Sequence, residues 1–382
     1  MFTNLRELIT SMPNEADCRE YVAKQRWKNG KAICPYCGCG RCYNIEGGKR
    51  YKCSDKACYK KFSVTVGTIM EASNIPLTKW LTGIYLITAH KKGISSYQLG
   101  RDLGIAQKNA WFMLHRIREM LKVKGKSKLD NIVEIDEVYI GGKVSNMSKS
   151  KRKKLRDNGD SYNTKTMVMG MIERGGNLKL IPIGSSNNLT AIHPVIKENV
   201  DKDAVVITDS LATYKGLKND FAGHEVVNHT ENEYVRDKVI HTNSIEGAFS
   251  LLKRSIIGIY HQVTPKHLDR YCDETMFRYN LRKMTDASRF THSLTNMEGR
   301  LTWNALVGAK PLIKVMPEKK SYYNKVEVHS GKKQVLQILE GEVIGKYDSI
   351  SEAAKANNTS YTNIQMALKR GNKAVGFNWD YA

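Results

Sequence analysis

The sequence has no run of about 18 apolar residues, the length a membrane-spanning helix requires. An integral membrane protein is therefore not expected. The first sixteen residues lack the basic-then-apolar layout of a secretory signal. Export is not expected either, and the thiols are read as those of a protein in the reducing cytoplasm. No G-x-S-x-G, H-E-x-x-H or G-x4-G-K-[ST] occurs. That excludes the nucleophile elbow of serine hydrolases, the zinc-protease helix and the phosphate-binding P-loop. The 10 histidines form no pair at helical spacing, and there is no long internal repeat. Acids are scarce relative to bases: 38 Asp+Glu stand against 61 Lys+Arg, a formal net charge of +23. A chain that positive repels itself unless a polyanion neutralises it. Nucleic acid is the leading partner, because each neutralised phosphate releases counterions. An anionic membrane surface is the other reading of the charge.

What is present is unevenly distributed. The 382 residues suffice for two or three domains, and 41% of them are hydrophobic. The pattern divides into a helical segment over 1–32, a Cys-, Gly- and Lys-rich stretch over 33–70, helices over 71–125, alternating strands and helices over 130–300, and a small unit over 335–382. Six of the eight cysteines lie between Cys34 and Cys58. Cys34-Pro-Tyr-Cys37 and Cys53-Ser-Asp-Lys-Ala-Cys58 form two close pairs, which suit four thiolates around one structural Zn2+. Residues 33–68 bury little core, so metal would supply the folding energy. Cys39 and Cys42 remain alternative ligands. Lys49, Arg50, Lys52, Lys56, Lys60 and Lys61 are interleaved with Tyr51, Tyr59 and Phe62. That pattern favours contact with DNA over a merely solvated face.

Residues 77–90 read as a helix carrying Trp80, Ile84 and Ile87. A short helix over 95–104 ends in Gly104. A longer one over 105–121 carries Trp111, Leu114, Ile117 and Leu121 on one face. Short helix, glycine turn and longer helix make a helix-turn-helix, with Gln107, Lys108 and Asn109 opening the recognition helix. An ordinary helical bundle shares the pattern.

Three acids stand out by position. Asp136 lies in the middle of the alternating strand Asn131-Ile-Val-Glu-Ile-Asp136-Glu-Val-Tyr-Ile140, where burial is costly unless something binds it. Asp209 closes the apolar strand Ala204-Val-Val-Ile-Thr-Asp209, a common site position in α/β sheets. Glu246 lies on a helix whose apolar stripe is Ile245, Phe249, Leu252 and Ile256. On that helix Glu246, Ser250 and Lys253 fall at i, i+4 and i+7, with Asn243 extending the stripe. One member can bind metal while Lys253, with Arg254 beside it, grips a phosphate. Gly247 lets a nucleic-acid backbone come close. Two strand carboxylates and one helix carboxylate suit two Mg2+ or Mn2+ ions about 4 Å apart, as in metal-assisted phosphoryl transfer. Each acid alone has an ordinary structural explanation; the three together are the signal.

These residues carry a family resemblance. The chain resembles the zinc-ribbon DDE transposases of ISXO-type insertion sequences. The stretches that match are Cys34-Pro-Tyr-Cys37-Gly through Phe62-Ser-Val-Thr-Val-Gly-Thr68; Ile135-Asp136-Glu-Val-Tyr-Ile-Gly-Gly-Lys143; Thr208-Asp209-Ser-Leu-Ala-Thr-Tyr-Lys-Gly-Leu217; and His241-Thr-Asn-Ser-Ile-Glu246-Gly-Ala-Phe-Ser-Leu-Leu-Lys253-Arg, continuing to Phe277-Arg-Tyr-Asn-Leu-Arg282. The resemblance spans about residues 15–300. It implies a multidomain α/β chain: a ribonuclease H-like mixed sheet flanked by helices, preceded by a zinc ribbon and a helix-turn-helix. It implies neighbouring strands over 166–172 and 179–183 and a crossover helix over 189–199. Asp136, Asp209 and Glu246 become the metal-binding triad, and Lys253 the base that contacts DNA near the reacting phosphate. The activity implied is binding of terminal inverted repeats, followed by metal-dependent strand cleavage and strand transfer. The partners implied are double-stranded element ends and target DNA, in at least a homodimer, at the bacterial nucleoid. A domesticated, non-catalytic DNA-binding regulator is the rival reading, and a nuclease without strand transfer is another. Residues 143–156 read as a Lys-rich loop that orders on DNA, or as a solvated charge run. Residues 335–382 read as a modular DNA-binding unit of strand, helix and helix, or as a small capping or dimerisation unit.

Overall fold

The computed structural model describes residues 2–122, 127–157, 165–185, 192–227, 240–308 and 334–381. They belong to two compact units, Met1–Lys314 and Val315–Ala382. Among the described residues no helix is long and apolar enough to cross a membrane.

The first unit begins with helices α1 (Leu5–Ser11) and α2 (Glu15–Arg26). Each starts where an asparagine, Asn4 or Asn14, accepts hydrogen bonds from the free amides of the first turn. Strands β1 (Cys42–Ile45), β2 (Arg50–Cys53) and β3 (Lys61–Phe62) form a small antiparallel sheet. Helices α3 (Leu77–Ala89), α4 (Ser96–Leu103) and α5 (Gln107–Leu121) follow. Ser95 caps α4, and Gly104, in the left-handed conformation at φ 57°, ends it and turns the chain into α5. Side chains from α1, α2, the cysteine-rich sheet and α3–α5 share one hydrophobic core, which also takes in Phe277, Phe290, Leu294 and Met297.

The second half of this unit is a three-layer sandwich. Its strands are β4 (Ile132–Ile140), β5 (Thr166–Glu173), β6 (Leu178–Ser185), β7 (Val205–Asp209) and β8 (Gly223–Val227), with α6 (Lys149–Asp157) between β4 and β5 and α7 (Ile192–Asn199) between β6 and β7. The sheet order is β6-β5-β4-β7-β8. β5 runs antiparallel to β4 and β6, whereas β7 runs parallel to β4 and β8. This mixed sheet has the ribonuclease H-like arrangement. Residues 166–172 of β5 are all buried, as a strand covered on both faces must be. Alternation along β4 sends Val133 and Ile135 into the core beneath α7. It sends Val138 and Ile140 into the core beneath α8 (Asn243–Ser255) and α9 (Leu268–Asn280). A single π-helical turn, Ile256–Tyr260, follows α8. Helices α10 (Asp286–Leu294) and α11 (Trp303–Val307) complete the described part of the unit. A buried ion-pair network ties α5 to α9: Arg118 Nε donates to Glu274 at 2.6 Å, and Arg278 and the Tyr260 hydroxyl donate to the same carboxylate.

Two expectations change. Residues 143–156 are not a loop: a short 3-10 turn, Val144–Asn146, leads into α6, which has no buried residue. Lys, Arg and Leu are good helix formers, and a run of them holds a solvated helix once no side chain must be buried. The crossover helix is observed over Ile192–Asn199, while residues 189–191 lie outside the described residues. Strand β8 was not anticipated.

The second unit has strands β9 (Val335–Leu339) and β10 (Glu342–Tyr347), helices α12 (Ile350–Ala356) and α13 (Tyr361–Arg370), and strand β11 (Asn378–Tyr381). The sheet order is β10-β9-β11. Val335, Ala353, Ala354, Ile364, Ala367 and Trp379 form its core. Strand and two helices appear in the expected order, and β11 returns to pair with β9.

Candidate active site

Strand register brings the two aspartates side by side. β4 pairs with β7 in parallel through Glu134 and Ile207, and Asp136 and Asp209 each lie two residues further along. Both therefore stand just past the last paired residues of neighbouring strands, where the same register would bring them side by side. On its other side Asp136 is paired with Gly170 of β5. That glycine lets α8 lie close on the sheet. A Cβ at position 170 would come within 2.5 Å of the Phe249 ring and 2.7 Å of Ile245 Cδ1. With α8 seated this way, Ile245, Phe249 and Leu252 are buried and Glu246 stays on its exposed side.

The acids are near enough for their charges to act on one another. The Asp136 carboxyl is pushed up to about 7, first by burial and then by the negative charges of Glu137, Asp209 and Glu246. The backbone amide of Glu137, which donates to Asp136 Oδ1 at 2.7 Å, works against that rise. Asp209 Oδ1 accepts from the amide of Leu211 at 3.1 Å, and Glu246 Oε1 accepts from the Thr242 hydroxyl at 3.3 Å. A cluster of carboxylate oxygens that resists its own charge is what a hard divalent cation relieves. The three acids are not among the sets whose ligand atoms all lie within 4.8 Å of one another among the described residues. Two ions about 4 Å apart call for a wider set than a single ion does.

Asn243, Lys253 and Arg254 are exposed on α8. Lys253 also lines an open cavity of about 800 Å3 with Tyr139, Lys143, Lys151, His261 and Gln262. At the start of α5, Gln107 donates to Ser96 Oγ at 2.8 Å and so ties the two helices of the turn together. The Lys108 ammonium lies 4.9 Å from the centre of the Trp303 ring, and Asn109 is exposed. The C-terminal half of α5 is buried, so only its first turn presents polar side chains outward.

The cysteines resolve into one set. The Sγ atoms of Cys34, Cys37, Cys53 and Cys58 all lie within 4.8 Å of one another. Cys34 and Cys58 are 3.8 Å apart, and Cys37 and Cys53 3.5 Å. Tetrahedral Zn–S bonds of about 2.3 Å require thiolates about 3.8 Å apart, so the four sulfurs fit Zn2+. Cys39 and Cys42 stand outside the set, with their sulfurs directed at the carbonyls of Arg41 and Cys39. Four thiolates leave no open coordination position, which makes the centre structural.

Sequence reasoning passed over several residues at the acidic site. Glu137, half-buried beside Asp136, accepts a hydrogen bond from the buried Tyr214 hydroxyl, and burial pushes its carboxyl up. Glu134 is fully buried and bonded to the start of α8. Gly170 had a readable signal: a lone glycine inside an apolar strand marks a close approach. The pairing of Glu134 with α8 had none, because its partners lie 40 to 111 positions away.

Both the cysteine-rich part and the mixed-sheet part of the chain match known proteins. Residues 13–61 match the transposase zinc-ribbon domain, and residues 128–280 match the ISXO2-like transposase domain. The chain is also 28% identical over 256 residues to an uncharacterized protein in transposable element ISH50 of Halobacterium salinarum, covering 64% of this chain and 84% of that one. The cysteine-rich match contains Cys34, Cys37, Cys53 and Cys58, and the longer match runs from the strand of Asp136 through the helix of Glu246. The chain thus carries a transposase zinc-ribbon domain followed by an ISXO2-like transposase domain.

Proposed function

We propose that this transposase binds the ends of its own insertion element and cuts and joins DNA at Asp136, Asp209 and Glu246. The observation that carries the reading is the convergence of three acids from β4, β7 and α8: Asp136 is pushed up to about 7 by burial first, and Asp209 and Glu246 lie near enough to add to that rise by their charge. Asp136 and Asp209 hold the floor of the site from adjacent strands, and Glu246 closes it from α8. Divalent cations bound there would activate the attacking oxygen and neutralise the leaving one. Lys253, two turns along α8 from Glu246, holds the phosphate next to the scissile bond by charge. Lys108 and Asn109 at the start of α5 face the groove of the DNA. The basic zinc ribbon and the C-terminal unit add affinity through the backbone. Water attacks first to free a 3′-OH, which then attacks target DNA. Both steps are in-line displacements at phosphorus, so one site serves both. Two ends must be brought together, so the active species is at least a dimer.

The experiment uses labelled DNA carrying the sequences that flank the gene. Wild-type protein and Asp209→Asn are incubated with it in Mg2+ or Mn2+. Cleaved and joined strands from wild type alone support the proposal. Equal binding by both with no products from either would replace it with a DNA-binding regulator. Cleavage without joined strands would leave a nuclease.

A further inference from the structure

Glu134 stands two residues before Asp136 on the same face of β4, and by sequence it resembles a fourth site acid. Its surroundings assign it another task. The side chain is 0% exposed, and both oxygens are occupied. Oε1 accepts from Arg174 Nε at 2.8 Å and from the Ser244 hydroxyl at 2.9 Å. Oε2 accepts from the backbone amides of Ser244 at 2.9 Å and Ile245 at 3.1 Å. Those amides belong to the first turn of α8, where amides have no partner within the helix. The residue preceding the helix, Thr242, supplies no side-chain cap. The carboxylate of Glu134 does so from across the sheet, with its charge at the positive end of the helix. Arg174 completes the arrangement. Its Nη2 lies 3.2 Å from His241 Nδ1 and 3.1 Å from the His241 carbonyl, so it fastens the chain entering α8 to the same carboxylate.

We infer that Glu134, with Arg174, His241 and Ser244, is a positioning clamp that fixes α8 against β4 and thereby sets the distance from Glu246 to Asp136. This inference rests on the proposed role of those two acids. Ser244 is two residues before Glu246, and Glu134 two residues before Asp136. A single carboxylate therefore joins the helix and the strand within one turn of the acids they carry. With four donors on its oxygens, Glu134 has no lone pair directed at a cation; it acts through Asp136 and Glu246. The clamp also gives the His241-Thr-Asn-Ser-Ile-Glu246 run a physical meaning beyond its glutamate.

The test uses the full-length, zinc-loaded protein and two variants, Glu134→Gln and Ser244→Ala. Glu134→Gln replaces an acceptor by a donor at a site supplied with donors, and Ser244→Ala removes one hydroxyl bond only. Affinity for element-end DNA should not change. Cleavage should slow about a hundredfold in Glu134→Gln, the loss that about 1 Å of misplacement produces. Mn2+ alone, titrated by calorimetry, should bind about 10–100-fold more weakly, the usual effect of losing a group that orients metal ligands. Amide exchange should accelerate at least about tenfold at residues 244–248 while β5 and β6 keep their protection. Ser244→Ala should show the same pattern more weakly and add little in the double variant. Wild-type Mn2+ affinity and exchange in both variants would overturn the clamp. So would a uniform loss of protection throughout the sheet, which marks a general structural role. If the wild type gives no Asp209-dependent cleavage, the proposed function falls by itself, and the exchange and Mn2+ measurements still decide the clamp.

Discussion

Gly170→Ala adds one methyl group at the point where α8 meets the sheet. Its Cβ would lie 2.5 Å from two atoms of the Phe249 ring and 2.7 Å from Ile245 Cδ1. Carbon atoms at rest keep about 3.5–4.0 Å. Roughly 1 Å must therefore be found, and Phe249 at 4% and Ile245 at 0% exposure have no free space to yield it. The helix has to lift. Overpacking of this kind costs about 1–3 kcal/mol of stability. A lift of about 1 Å would carry Glu246 away from Asp136 by a similar amount and should slow cleavage about a hundredfold. Gly247→Ala is the control on the same helix, because a Cβ there meets nothing within 4 Å. It should stabilise α8 by about 1 kcal/mol through helix propensity. Urea unfolding gives the stabilities, and metal-dependent cleavage of end DNA gives the rates. A Gly170→Ala protein as stable and as fast as wild type would refute the seating of α8 described above. Slow cleavage by a stabilised Gly247→Ala would indicate that DNA backbone approaches this glycine.

Three further outcomes are expected. Metal analysis of the purified protein should find one Zn2+ per chain, lost in Cys37→Ser or Cys53→Ser and kept in Cys39→Ser and Cys42→Ser. Because Cys34 and Cys53 belong to the same core as α3–α5, chelation should also lower the melting temperature. Mn2+ binding should weaken with acid. The raised Asp136 carboxyl carries a proton below about pH 7, and a cation must displace it, so affinity should fall by up to about tenfold per pH unit below that point and level off above it. Calorimetry that found the same affinity on both sides of pH 7 would contradict this. Glu274→Gln should cost about 3–5 kcal/mol, since it leaves Arg118 and Arg278 buried without a counter-charge; thermal unfolding reads it. In the wild type the Glu274 carboxyl is held down to about 2 by the two guanidinium groups, against the burial that would raise it. Its contribution to stability is therefore complete above the ordinary carboxylate range and is lost as pH falls toward 2.

The parts of this protein that could be read from the chain are those whose cause is local. Two cysteine pairs at short spacing declare a tetrahedral thiolate set, because each pair needs only its own turn. The 3.6-residue period of Ile245, Phe249, Leu252 and Ile256 declares a helix with Glu246 on another face, and the alternation around Asp136 declares a strand. The scarcity of acids declares a polyanionic partner. The loop expected at residues 143–156 failed for a related reason. Charge shows that a segment is solvated, and leaves open whether it is coil or helix.

What the tertiary structure alone decided is which distant groups meet. The exclusion of Cys39 and Cys42, which the sequence left open as alternative ligands, follows from how the small sheet brings the two turns together. The nearness of Asp136 to Asp209 follows from the parallel pairing of β4 with β7. The use of Glu134 as a helix cap and of Glu274 as a counter-charge for two arginines depends on contacts that span up to 156 positions of sequence. No local propensity encodes such pairings. They arise because burying one face of each helix and strand leaves few ways to pack the layers, and each buried charge must then find a partner within reach.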